Sequence, residues 1–379
     1  MKYILSDCGF HDRLKPLSLT RAIADFRVGI LTLREKWEKY LGEKVFVETE
    51  PYLQVKYQSV EDDDCVTIPS VLIPDFNLVK AIKSLKSGRL VKDGFVLASA
   101  GECESASMDV EYSGKVFMLK SLPDIFSFNG MEINKDFELL TVGRKSQPIS
   151  DTNVVFGKYP LFVEEGCTVE CATFNTNDGP IYIGMDAEVM EGANVRGPFA
   201  LCEHSVLKMG AKMYGDTTVG PWCKVGGELS NVVFFGYSNK AHDGFLGNTV
   251  VGEWCNFGAD SNNSNLKNNY AEVKLWNYET HKFENTGLQF CGLIFGDHSK
   301  CGINTMFNTG TVVGVSANIF GAGFPRNYVP SFSWGGASGF TDYKLDTAFE
   351  VMARVMARRH VEFTDTDKDI MRHIYEGKE

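Results

Sequence analysis

The chain has 379 residues, 44% of them hydrophobic, with 38 Lys and Arg against 49 Asp and Glu and a net charge of −11. That length fits two domains with a sizeable core, and the acidic balance argues against nucleic acid or an anionic membrane as main partner, since neutralising phosphates needs clustered cations. No window approaches eighteen uncharged apolar residues and the start, MKYILSDCGF, lacks a basic segment followed by an apolar one, so a cytoplasmic location is expected.

Residues 1–150 alternate short apolar strands, Tyr3-Ile4-Leu5 and Val45-Phe46-Val47, with helical stretches such as Asn77 to Leu85. This alternation predicts a compact α/β domain. Between Gly29 and Leu41, Ile30, Leu33, Trp37 and Leu41 recur at helical spacing with charges between, predicting an amphipathic helix whose Trp belongs to the core. A connecting helix or turn is expected from Ser121 to Asn134. Near the start, Ile4-Leu5-Ser6 runs into Asp7-Cys8-Gly9 and then Arg13-Leu14-Lys15-Pro16. Arg13, Lys15 and Arg21 are candidates for binding a nucleotide or sugar phosphate. Asp7 or Asp12 would suit Mg²⁺, a hard cation that prefers oxygen; the alternative is a set of solvated surface charges.

Past Pro148-Ile149-Ser150-Asp151 the texture changes. An apolar side chain returns every sixth residue at Ile183, Val189, Val195, Leu201, Leu207, Met213, Val219 and Val225, and again at Phe295, Cys301, Phe307, Val313 and Ile319. Neither a helix nor a flat hairpin has this period. It predicts a left-handed parallel β-helix of the hexapeptide-repeat type, in which each short strand turns a corner and points one side chain into a narrow prism. About three hexads make one triangular coil. So thin a prism buries little by itself, and a homotrimer is expected.

Ten cysteines, at 8, 65, 103, 167, 171, 202, 223, 255, 291 and 301, form no paired framework and read as reduced. Cys167 and Cys171 read as small side chains of a coil rather than a metal clip. The rhythm survives at Val251 and Phe257 and then fails. Residues Leu266 to Cys291 alternate polar and apolar, predicting an extruded hairpin with its turn at Tyr278-Glu279-Thr280-His281, a feature suited to wall a cleft. After Ile319 a stretch dense in Gly, Pro and aromatics ends the prism. Leu345, Ala348, Phe349, Met352, Val355 and Met356 then share one face of a helix, with Arg354, Arg358 and Arg359 near its end where they suit the dipole. Thr364 or Asp365 would cap a last helix to Tyr375. The expected domains are 1–150, 151–330 and 331–379.

Between Asn239 and Gly258 the hexads break at Lys240-Ala241-His242-Asp243-Gly244. This segment, with Phe245-Leu246-Gly247, Val251-Gly252 and Asn256-Phe257-Gly258-Ala259, closely resembles the acetyltransferase domain of the bifunctional N-acetylglucosamine-1-phosphate uridyltransferases. The similarity covers most of residues 180–325, and the whole chain resembles the Bacteroidetes branch of that family, which has a shortened nucleotidyltransferase domain. The resemblance implies acetyl transfer from acetyl-CoA to an amino-sugar 1-phosphate, with active sites in clefts between subunits and His242 as general base. An imidazole suits that task because it titrates near neutrality.

The resemblance also implies that Asn256 contacts the sugar, Asn265 supports the histidine and acceptor, and Ala259 meets the acyl donor through its backbone. Lys208 stands where the family has a phosphate-binding Arg, keeping the charge but not the fork. Lys240 flanks the base. Phe245 replaces a Tyr near the substrate phosphate, and Val225-Gly226-Gly227-Glu228 replaces a segment with a phosphate-binding Lys, for which Lys267 is the substitute candidate. The acyl-donor end would involve Asp297, Gly321 and Gly323-Phe324-Pro325-Arg326. For the N-terminal domain the resemblance implies coupling of the sugar 1-phosphate to a nucleoside triphosphate with Mg²⁺. Its phosphate loop keeps only one Gly, however, so an acyltransferase with a non-catalytic sugar-phosphate-binding domain is the alternative; a third reading is a trimeric scaffold. A zinc site of the γ-class carbonic anhydrase type is disfavoured, because no two of the seven His have the close spacing it uses.

Overall fold

The computed structural model describes residues 2–60, 64–101 and 109–377; Cys103 lies outside them. The chain forms an α/β domain, a parallel β-solenoid of the hexapeptide-repeat, left-handed type, and two C-terminal helices.

In the α/β domain the strands lie in the order Val45–Glu48, Lys2–Ser6, Cys65–Pro69, Phe95–Ala100, Gly88–Lys92, Asp109–Glu111. The first three are parallel and Cys65–Pro69 meets Phe95–Ala100 antiparallel. Helix α1 (Leu33–Leu41) starts later than the apolar spacing predicts because Thr32 and Glu35 form a capping box. Trp37 is fully buried in the core. Helices α2 (Pro51–Gln54), α3 (Phe76–Ser84) and α4 (Pro123–Thr141) follow. Helix α4 runs past the predicted end at Asn134 because its second half has its own buried partners. The Lys36 ammonium of α1 lies 2.9 Å from Glu132 and 2.5 Å from Asp136, all three buried. Asp136 also accepts from the N–H groups of Ile30 and Leu31. Burial lifts the Asp136 carboxyl to about 6 even against Lys36.

The solenoid places every predicted hexad residue, from Ile183 to Val225 and from Phe295 to Ile319, in one continuous buried core. Its coil length is visible in the strand registers: Glu188 pairs with Val206 and Val206 with Lys224, each step 18 residues or three hexads. The beat fails after Val225 because the next coils are shorter. Val225 pairs with Lys240, 15 residues on, and Asn239 with Asn256, 17 on. The long strands Glu228–Gly236 and Phe245–Glu253 run through a corner that other coils break. The following step, Asn256 to Lys300, spans 44 residues, so a 26-residue excursion is inserted into an 18-residue coil. Its tip is the expected hairpin, Lys274–Asn277 against Lys282–Asn285 with residues 278–281 as the turn.

The prism has three faces. The first contains Ile181–Ile183, Phe199–Leu201, Thr217–Val219, Leu293–Phe295 and Thr311–Val313. Here the strands are buried on both sides, and the outer side chains Val233, Val250, Ile294 and Val312 join a second buried cluster with Leu14, Leu17, Ile23, Phe26 and Phe126. The α/β domain thus lies on this face. Arg27, buried, reaches the carbonyls of Ile30 and Phe235, and Asn129 of α4 donates to Asp216 O and Thr218 Oγ1. The second face contains Glu188–Val189, Val206–Leu207, Lys224–Val225, Asn239–Lys240, Asn256–Phe257, Lys300–Cys301 and Asn318–Ile319. Helices α5 (Leu345–Ala357) and α6 (Asp365–Glu376, capped by Thr364) pack at the corner between these two faces through Trp254, Val315 and Phe332. At that corner the left-handed residues His204, Trp222, Tyr237, Trp254 and His298 stack coil upon coil. His204 lies 4.3 Å from Trp222 and Tyr237 4.2 Å from Trp254, ring to ring.

Candidate functional site

The opposite end of the second face turns the corner that carries His242. Because Asn239, Asn256, Lys300 and Asn318 are in register, the residues three positions on, His242, Ala259, Ile303 and Gly321, fall on successive rungs of one edge about 4.8 Å apart. Lys208 starts the same edge: its N–H donates to Val225 O, and that of Gly226 donates to Lys240 O. The residues assigned to base, acyl donor and one acceptor contact therefore share an edge. His242 is exposed. On the same edge Met209 and Ile303 are each 71% exposed.

Lys240 explains how the turn is held. It occupies an inward rung between Val225 and Phe257, is buried, and donates to the carbonyls of His242 (2.6 Å) and Asp243 (2.8 Å). Burial pulls its ammonium down to about 8, against the pull of Asp243. Its charge closes the turn from inside, so Lys240 serves position rather than substrate contact. Gly244 finishes the turn with φ +114°, where a Cβ would lie 2.2 Å from Ser261 O.

The remaining candidates separate. Phe245 and Asn265 flank Gly247 on the next face, and Asn265 donates to Asn248 Oδ1 at 2.8 Å. Lys267 donates to Glu272 O within the excursion. Arg326 is exposed and lines a cavity of about 610 Å³ beside the terminal hairpin Ser333–Gly336 and Gly339–Asp342. Asn256 is exposed on the second face and lines a cavity of about 400 Å³ under α5, whose wall also includes Ala241, next to His242.

Asp297 and Arg21, assigned to two different sites, are ion-paired to each other. The Arg21 guanidinium meets Asp297 Oδ2 and lies 3.2 Å from Glu253, while Thr20 Oγ1 and Glu253 N donate to Asp297 at 2.8 and 2.9 Å. Burial opposes the Arg21 charge, but Asp297 and Glu253 keep its pKa raised. This pair lies where the α/β domain meets the solenoid, away from the edge that carries His242. Beside it a cleft of about 620 Å³ opens between the two domains and the C-terminal helices, lined by Arg21 and His298 among others. Burial keeps the His298 ring neutral.

The other residues of the N-terminal loop are also engaged. Asp7 accepts from Ile23 N at 3.1 Å and from Thr49 Oγ1 at 2.5 Å, and burial raises its carboxyl to about 6. Lys15 pairs with Asp12 at 2.8 Å. Arg13 pairs with Glu279 in the hairpin turn at 3.2 Å, so the excursion walls an interdomain cavity of about 390 Å³ rather than the His242 edge. Asp7 and Asp12 do not fit a Mg²⁺ site in this arrangement, since both already serve donors of the chain; among the described residues no group of three or more His, Cys, Asp or Glu is placed to hold a metal. Cys8, Cys167, Cys171, Cys202, Cys223, Cys255, Cys291 and Cys301 are free thiols. Among the described residues no helix is long and apolar enough to cross a membrane.

Sequence reasoning missed the docking role of Arg21, Arg27 and Asp297. One signal was available: runs such as Val232-Val233-Phe234-Phe235 and Leu293-Ile294-Phe295 are apolar at consecutive positions, which marks strands buried on both sides.

Residues 3–145 match the family model described as sugar nucleotidyl transferase, which covers the α/β domain and stops before the solenoid. No curated protein matches the chain. Among solved structures, a UDP-N-acetylglucosamine acyltransferase of Arabidopsis is similar at 14% identity, covering 58% of this chain and 78% of that one, with a TM-score of 0.21.

Proposed function

We propose that this protein is a transferase of sugar-nucleotide synthesis whose solenoid moves an acyl group, acetyl from acetyl-CoA, to the amine of an amino-sugar 1-phosphate such as glucosamine 1-phosphate. The observation that carries the reading is the shared edge of Lys208, His242, Ala259 and Gly321, on which an exposed imidazole sits on a turn closed from within by Lys240. In the reaction the amine nitrogen attacks the thioester carbonyl and its proton passes to His242. The C–S bond then breaks, and the imidazolium returns the proton to the departing thiolate. Backbone N–H groups of the edge would steady the oxyanion.

Exposed Met209 and Ile303 on this edge support its being covered by a second and third copy of the chain. With the α/β domain on the first face and α5 and α6 over the corner to the second, this edge is available for such a homotrimer.

The family match of residues 3–145 supports a nucleotidyl-transfer step coupling the acetylated sugar 1-phosphate to a nucleoside triphosphate. The engagement of Asp7, Arg13, Lys15 and Arg21 with the chain itself favours the alternative, a domain that binds a sugar phosphate without catalysing.

One assay separates these readings. The protein is incubated with acetyl-CoA and a panel of amino-sugar phosphates, following thiol release, and then with nucleoside triphosphates and Mg²⁺, following pyrophosphate. His242→Ala is expected to lower thiol release about 10²–10⁴-fold, the usual contribution of a general base. Unchanged release in that variant defeats the acyl-transfer proposal, and pyrophosphate formation defeats the non-catalytic alternative.

A further inference from the structure

The second face carries cations that neither the hexad period nor the acyl-transfer reading uses, beside Asn256, which that reading assigns to the sugar. On four successive coils the outward residues, in register, are Lys224, Asn239, Asn256 and Lys300. Above this column lies the C-terminal end of α5, which adds Arg358 and Arg359. All six line one cavity of about 400 Å³ whose wall contains no Asp or Glu.

Among the described residues none of the four cations has a carboxylate partner. Lys300 donates to His298 O at 2.8 Å and Arg359 reaches Asn239 Oδ1 at 3.4 Å; these are neutral acceptors. The nearest acid on the same column, Glu188, is two coils before Lys224 and is not paired with it. Elsewhere the arginines of these helices do find acids, Arg354 with Glu350 and Arg372 with Asp369.

Compensation of the α5 dipole does not account for Lys224 and Lys300, which belong to the solenoid. The N–H groups of Arg359 and Val361 close the helix end on Met356 O, and the Arg359 side chain turns to the solenoid instead. The electrostatics agree with crowding by like charge at Lys224, eased in part by Glu188. Burial, then Arg359, Lys208 and Arg358, lower the Lys224 ammonium, and burial lowers that of Lys300 to about 8. In a chain of net charge −11, cations left facing one another in a cavity mark a place where an anion belongs.

Coils are about 4.8 Å apart, so Lys224 and Lys300 start about 14 Å from one another, too far for both to serve one phosphate comfortably. The stacked rings of Tyr237 and Trp254 form part of the same wall and offer a surface for a planar or sugar ring. We propose that this cavity is a binding site for a diphosphate-bearing ligand, held between the Lys224–Lys300 column and the arginines of α5. Two sources share that chemistry, the diphosphate of coenzyme A and that of a nucleoside diphosphate. The site lies within one chain and does not depend on His242 acting as a base.

The test is calorimetric titration of the full chain with pyrophosphate, coenzyme A and UDP in separate arms, at low salt and again at 0.5 M. Pyrophosphate is expected to bind, more weakly at high salt, with at least tenfold loss of affinity in Arg359→Gln and in Lys224→Gln. Lys224 is exposed, so its variant keeps the fold, and an unchanged melting temperature verifies this for both. Arg354→Gln, one turn away and paired with Glu350, is the control and keeps wild-type affinity. Tighter binding of coenzyme A than of pyrophosphate, weakened in Lys224→Gln and Arg359→Gln, assigns the site to the acyl donor, and tighter binding of UDP weakened in the same variants assigns it to a nucleotide. No pyrophosphate binding, equal binding in all variants, or an equal loss in Arg354→Gln overturns the proposal. His242→Ala separates the two readings: it is expected to lose thiol release and keep pyrophosphate affinity.

Discussion

The loop of residues 7–21 and the turn of residues 240–244 are both rich in groups that carry chemistry, yet the fold treats them oppositely. In the loop, Asp7 is buried against donors of the chain, Arg21 is ion-paired to Asp297 while its buried Nη1 has no hydrogen-bond partner among the described residues, and Arg13 reaches across to the hairpin. In the turn, the Lys240 charge points inward to two carbonyls while the neighbouring imidazole faces out. A charged side chain already satisfied by its own chain has a structural task, and one left without a partner is where a ligand is to be sought.

The largest test of this contrast is Arg21→Ala. It leaves Asp297 buried and unpaired beside Glu253, and a loss of about 3–5 kcal/mol in unfolding free energy, or separate melting of the α/β domain and the solenoid, is expected in denaturant titrations. A loss below 1 kcal/mol would return Arg21 to the list of ligand-binding residues.

Asp7 comes next. Its pKa in the fold is raised to about 6 from 3.8, so the folded state binds more protons than the unfolded state between those values, and the penalty of the buried charge is complete at pH 7 and relieved as pH falls through 6 towards 4. Measured against Asp7→Asn, the wild type should gain on the order of 2–3 kcal/mol over that window, at about 1.4 kcal/mol per pH unit. A flat difference, or Mg²⁺ raising the melting temperature of the wild type but not of the variant, would restore Asp7 as a metal ligand.

Lys240→Ala removes the donor to two turn carbonyls, and about 1–3 kcal/mol of stability should go with it. If the turn positions the base, thiol release falls as well although the imidazole is intact; full activity would show that the turn holds without Lys240. Smallest of all is Arg13→Ala. Its pair with Glu279 is close to half exposed on both sides, so less than about 1 kcal/mol is expected by the same denaturant titration. A larger loss would mean that the hairpin is clamped to the α/β domain chiefly by this pair.

Much of the architecture was legible because each coil repeats the same local demand. Ile183, Val189 and Val195 point inward for the same reason as Val313 and Ile319, so the period marks the prism wherever it runs. The hairpin at 274–285 and the cap at Thr364 were readable for similarly local reasons. The start of α1 was read too early, at Gly29, because the apolar spacing there serves the contact of Ile30 and Leu31 with α4. The break after Val225 reads as an interruption in sequence, whereas in the fold it is two shortened coils that put Lys240 on an inward rung.

What the sequence determined by itself is the set of facts that depend on neighbours along the chain: the six-residue beat, the helices with their caps, and the turn that lifts His242 out of the coil. Only the tertiary structure decided which charges are committed, since Arg21 and Asp297 are 276 residues apart and Lys224 and Arg359 meet only when α5 folds back over the second face. Period is a local property and can be read from spacing, whereas the pairing of charges depends on which surfaces come together and has no trace in spacing.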